Sequence, residues 1–149
     1  MNENKKKSID NLVNELKSKY NVNSLEGLRQ LAKERGIYVI ESDEVIIPCA
    51  SLKNGQKYIL LKKDSLIKKF IFGHEIGHHL LDHIRNSKLD EEIEADYFGE
   101  QLLSKREPSL GLYVIDALYT IMKNPFLSIG CTFFPFFYKE NNLNIIKKL

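Results

Sequence analysis

The stretch 70–83 reads F-I-F-G-H-E-I-G-H-H-L-L-D-H and holds all four histidines of the chain. Within it, His74-Glu75-Ile76-Gly77-His78 has the spacing of a metal hydrolase. On a helix, His74 and His78 stand one turn apart on one face, so both imidazoles can reach a single ion. Glu75 projects about 100° away, near enough to take a proton from a water activated by that ion without ligating it. Two imidazoles on the ion and a carboxylate to take the proton are what a zinc hydrolase needs. The competing reading is a helix whose histidines merely line the edge of a core, and a pentapeptide is short enough to arise by chance.

The surrounding residues predict that helix. Ile67, Phe70, Gly73, Ile76, Gly77, Leu80, Leu81 and Ile84 recur at the spacing of one buried stripe, giving a helix over 65–84 with Asp64 and Ser65 as N-cap candidates. His74 and His78 fall at the edge of the stripe and should face the interior or a cleft floor. His79 and His83 fall on the opposite face and are expected in solvent, with no second metal there.

A catalytic site normally takes three protein ligands. The carboxylates downstream are Asp90, Glu91, Glu92, Glu94, Asp96 and Glu100. A helix over 88–104 would bury Ala95, Phe98, Gly99, Leu102 and Leu103, which puts Glu92 on its inner side and Asp96 at the edge of that side. Glu94 points away from the centre of the stripe. In a tight antiparallel pair, His78 and Glu92 lie roughly 9 Å and 6 Å from the connecting turn, at similar heights. Glu92 is therefore the expected third ligand. Asp96 is expected to accept the free N–H of a ligating histidine and fix its tautomer. A negatively charged first turn, favoured by the helix dipole, is the plainer account of the acidic cluster.

These elements sit in a chain of 149 residues, a single-domain length with room for one core. It is 43% hydrophobic and 28% charged, with 22 basic against 20 acidic side chains, so composition signals neither nucleic-acid nor membrane binding. Cys49 and Cys131 are isolated and read as buried thiols of a reducing compartment. Met1 to Ser8 has no apolar run of the signal-peptide kind, and no uncharged membrane-length segment occurs, so a cytoplasmic protein is expected.

From the N-terminus, residues 1–7, with the run Lys5-Lys6-Lys7, read as a frayed, solvated start. Ile9, Leu12, Val13, Leu16 and Tyr20 mark an amphipathic helix. A second follows from Asn23 or Ser24, with Gly36 as its stop. Residues 36–41, 45–52 and 56–62 read as strands, the last two joined by the hairpin signal Asn54-Gly55. Pro48 places its strand at an edge or a bulge. Ser87 and Asp90 resemble a capping box, 110–122 reads as a helix, and 109–149 is a variable helical C-terminal part. The fold class is α+β: N-terminal helices, a small, mostly antiparallel sheet of three strands, and an active-site helix packed antiparallel to the helix bearing Glu92.

The segments H-E-I-G-H-H-L-L (74–81) and E-I-E-A-D-Y-F-G-E-Q-L-L (92–103) make the chain similar to the ImmA/IrrE family of bacterial zinc metallopeptidases, over roughly residues 8–108. The resemblance implies one zinc ion on His74, His78 and Glu92, with Glu75 as general base. It implies a site-specific protease that cuts a phage-like or stress-response repressor. Gly99 stands where the family usually has alanine, and the residues after Leu103 depart from its pattern. No helix-turn-helix precedes the peptidase-like part, so the repressor would be a separate chain, with no direct nucleic-acid binding by this one.

A peptidase also needs a donor for the developing oxyanion, for which Tyr97, Tyr113 and Tyr119 are candidates against ordinary packing. A substrate strand could add to the exposed edge of the 45–62 hairpin. Two other readings stand beside the enzyme: a binding module that keeps zinc as cement, and a regulatory protein or toxin of a mobile element that uses the fold for interaction alone.

Overall fold

A computed structural model describes residues 1–45, 48–83 and 89–104. Helix α1, Glu3–Lys19, begins at an Asn2 cap whose side chain accepts the Lys5 N–H at 2.8 Å and buries Ile9, Val13 and Leu16. It starts earlier than a frayed 1–7 would allow, because the Asn2 cap satisfies the first turn. Helix α2, Leu25–Glu34, is capped by Ser24, whose Oγ accepts from Gly27 N at 3.0 Å. Gly36, at φ +67, supplies the left-handed step that turns the chain into β1, Ile37–Ser42.

Strands β2, Cys49–Lys53, and β3, Gln56–Lys62, form the hairpin. Asn54 and Gly55 both have positive φ, 51° and 78°, as a two-residue type I′ turn requires. The order is β1-β3-β2, with β2 antiparallel to β3 and β1 parallel to it. The sheet is thus mixed, not mostly antiparallel, because the chain reverses once between β1 and β2 and again at Asn54-Gly55, and β3 inserts between the two. Pro48 directly precedes β2, an edge strand, in keeping with its missing N–H.

Alternation along β3 sends Ile59 and Leu61 to the helices and Leu60 to the opposite face, where it packs with Val45, Ile40, Cys49 and Tyr58. Helix α3, Lys68–Leu80, lies against β2 and β3, and helix α4, Leu89–Leu103, packs on α3 and α1. Phe72 of α3 and Phe98 of α4 are fully buried in the main core, so truncating either to alanine is expected to cost about 3–5 kcal/mol.

The expected helix over 65–84 is shorter at both ends. Ser65 Oγ accepts the Ile67 N–H at 3.2 Å before the helix begins, and no side chain caps its first residue. The C-terminal end closes at Leu80 through a left-handed residue, Asp82, at φ 61°. Cys49 is half-buried in β2. The predicted break at 85–87, Ser87 of the capping box, the helix at 110–122, Cys131, Tyr113 and Tyr119 lie outside the described residues. Among the described residues, no helix is long and apolar enough to cross a membrane.

Candidate metal centre

Helix α3 is enclosed by the sheet on one side and by α4 on the other. Its buried residues include Phe72, Glu75, Ile76 and His79 as well as Gly73, Gly77 and His78. Small residues let α4 come close. A Cβ on Gly77 would lie 2.9 Å from Cδ1 of Phe98, and one on Gly99 would lie 3.3 Å from the backbone nitrogen of His74. Backbones this close leave short side chains of α4 able to reach the histidines of α3.

They do so at one point. His74 Nε2 and His78 Nε2 are 2.9 Å apart, and Glu92 Oε2 lies 3.4 Å from the first and 3.5 Å from the second. Tetrahedral ligands at zinc distances of about 2.0–2.1 Å stand roughly 3.3 Å from one another, so this triangle fits one cation. His74, His78 and Glu92 form a group that can hold a metal ion. Asp96 Oδ1 stands 2.7 Å from His74 Nδ1. The carboxylate thereby accepts the Nδ1–H and leaves the Nε2 lone pair pointing at the shared point. The inner-side phase of Glu92 and the edge position of Asp96, read from the buried stripe Ala95, Phe98, Gly99, Leu102 and Leu103, are what the structure contains.

Electrostatics make the point cation-seeking. Burial lowers the His74 pKa, but the hydrogen bond to Asp96 and the charges of Glu75, Asp96 and Glu92 outweigh it and leave it raised. His78 is pushed down to about 4, by burial first and then by the positive charge of His74. The site therefore favours one positive charge, a proton or a metal, and holds His78 as the neutral imidazole that a metal needs.

Glu75 lies between the triangle and the sheet, close enough to feel the charges of His74, Glu92 and Asp96 while accepting a hydrogen bond from β2. It is 6% exposed, and burial pushes its carboxyl up to about 7. His74 and a hydrogen bond from the Ala50 N–H pull the other way, while Glu92 and Asp96 push it further up. The Ala50 bond has a geometric origin. In a two-residue hairpin the residues flanking the turn, Lys53 and Gln56, form a hydrogen-bonded pair, and pairs then alternate. Ala50 and Leu52 consequently turn their amides outward, and Glu75 takes the one at Ala50.

Two expectations are corrected. His79 and His83 are not solvated: they are 2% and 5% exposed. His79 faces the sheet, with Nε2 2.8 Å from the Tyr58 carbonyl oxygen, because α3 is covered on more than one side. His83 lies beyond the end of α3, where the left-handed turn at Asp82 brings it back onto the helix. Tyr97 is not poised as an oxyanion donor, since its hydroxyl donates to Asp10 Oδ1 of α1 at 2.9 Å. Sequence reasoning missed the contacts of His83 with Glu94 and of Glu75 with Ala50. The first depends on a helix stop with no glycine to mark it, and the second on strand register.

Comparisons with protein-family models, with curated proteins and with solved structures found no match to this chain.

Proposed function

We propose that the chain is a zinc-dependent, site-specific endopeptidase that cleaves a separate helix-turn-helix repressor of the phage-like or stress-response kind, and so acts as an anti-repressor. The observation that carries the reading is the convergence of His74, His78 and Glu92 on one point with a buried carboxylate, Glu75, on the adjoining helix position. Two nitrogen donors and one oxygen donor match zinc in hydrolytic sites better than the all-oxygen preference of magnesium or calcium. The substrate class rests on the likeness of residues 74–81 and 92–103 to the ImmA/IrrE motifs. Such a target would be met in the cytoplasm.

Zinc, when bound, supplies Lewis-acid polarisation of a peptide carbonyl and makes water at the site more acidic. The chain's own residues do the rest. Asp96 holds His74 in the tautomer that offers Nε2. Glu75 accepts a proton from the attacking water and returns it to the leaving amine. The Leu52 amide and the carbonyls of Ala50 and Leu52, turned outward on β2, offer an edge on which an extended substrate can lie beside Glu75.

A non-catalytic module is the second reading, favoured by one fact: the ligands come from α3 and α4, so a cation there would also staple two helices. Glu75→Gln separates the two. Co-expressed with a candidate helix-turn-helix regulator, the wild-type chain should yield two regulator fragments and the variant none, with metal content equal in both. An intact regulator with wild type, or equal biological effect from the variant, would favour the binding module.

A further inference from the structure

We propose that His83 is a positioning residue for the candidate ligand His78, anchored by Glu94 and, through Glu94, by Lys5 of the first helix. The inference rests on the reading that His74, His78 and Glu92 hold a metal, and it concerns residues outside that triangle.

Helix α3 ends in a Schellman arrangement. Asp82 takes the left-handed conformation and the His83 N–H bonds the His78 carbonyl at 2.9 Å, a link spanning five residues. The turn folds the His83 ring back along the helix, where it meets the His78 ring edge-on, with centroids 5.5 Å apart and planes at 75°. At the far side of His83, Nε2 is 2.9 Å from Glu94 Oε2, and the same oxygen is 2.9 Å from Lys5 Nζ. The Nε2–H donates to the carboxylate, and the ammonium holds that carboxylate from the other side.

Burial argues that the imidazole is there for more than filling. His83 is 5% exposed and its Nδ1 has no hydrogen-bond partner among the described residues, a cost that an apolar side chain of similar size would avoid. The two ligand rings are also held differently. Asp96 fixes the orientation of His74 through a short hydrogen bond. Rotation of an imidazole about its last torsion is soft, so ring orientation at His78 depends on what packs against it. His83 is a second aromatic neighbour of His78, besides His74, whose ring contacts His78 with centroids 4.6 Å apart. Held by Glu94, it keeps Nε2 of His78 aimed at the shared point.

The test uses the purified full-length chain with Zn2+ in competition with a chromophoric chelator, and Co2+ as a spectroscopic probe. His83→Ala removes the ring; His83→Phe keeps a ring and removes the Glu94 bond. Loss of an outer partner of this kind typically weakens metal binding by about 10–100-fold. The alanine variant should lose affinity in that range and show an altered Co2+ visible spectrum, and the phenylalanine variant should lose about 10-fold. Urea denaturation of the metal-free variants separates a loss of fold from a loss of aim. Wild-type affinity and an unchanged Co2+ spectrum in both variants, whatever their metal-free stability, would overturn the proposal. If the alanine variant does not fold, the phenylalanine variant decides alone. A wild-type chain that binds neither metal would remove the metal-site reading itself, a result distinguishable because it appears before any substitution.

Discussion

In the metal-free chain, Glu75→Gln removes a buried titratable group while keeping its shape and its ability to accept the Ala50 N–H. Burial lifts the carboxyl from 4.5 to about 7. At about 1.4 kcal/mol per pH unit, the ionised form is disfavoured in the folded chain by about 3 kcal/mol relative to the unfolded one. The sign follows from proton linkage. Below about pH 4.5 the carboxyl is protonated in both states and costs nothing. As pH rises, the unfolded chain ionises first, so the wild type loses stability progressively until the folded carboxyl ionises near pH 7. The glutamine variant has no proton to release there. Its stability relative to wild type should therefore grow by about 3 kcal/mol between about pH 4.5 and pH 8, a change that includes the lost coupling of Glu75 to His74. Urea denaturation of chelator-treated protein at several pH values measures this, provided the slopes match. Two curves that run parallel across the range would refute the buried placement of Glu75.

Asp96→Ala should weaken metal binding by about 10–100-fold, as read by chelator competition, because His74 loses the partner that fixes its tautomer. Since the raised pKa of His74 lets protons compete for Nε2 at higher pH, metal affinity should weaken earlier on acidification than for an unperturbed imidazole; Asp96→Ala should move that onset to lower pH, as a titration of affinity against pH would show. Gly77→Ala should destabilise the fold by about 1–3 kcal/mol despite alanine's better helix propensity, because its Cβ would meet the fully buried Phe98 ring at 2.9 Å; thermal unfolding reads this directly. Leu52→Pro removes an outward amide that β3 does not use, so metal content and fold should persist while regulator cleavage falls, as measured by fragment yield.

Much of this was legible in the chain because local rules and tertiary packing agree. The inward face of α4 was readable from Ala95, Phe98, Gly99, Leu102 and Leu103, and that phase, with the matched heights of His78 and Glu92, selected Glu92 and set Asp96 beside it. Asn54-Gly55 announced the hairpin because few residues accept two successive positive φ angles. Other features had no local signature. His79 and His83 looked solvated because periodicity counts a single apolar stripe, whereas α3 is covered on more than one side. The parallel pairing of β1 with β3 depends on β3 inserting between β1 and β2, which no hairpin signal reports. Asp82 in a left-handed stop defied the preference for glycine, and with it went the position of His83.

Metal analysis of the purified chain reaches the central claim most directly, with His74→Ala and Glu92→Ala measured alongside. One zinc per wild-type chain after dialysis, falling sharply in both variants, is the predicted result. Zinc near zero in the wild type, or retained undiminished without His74 and Glu92, would contradict it.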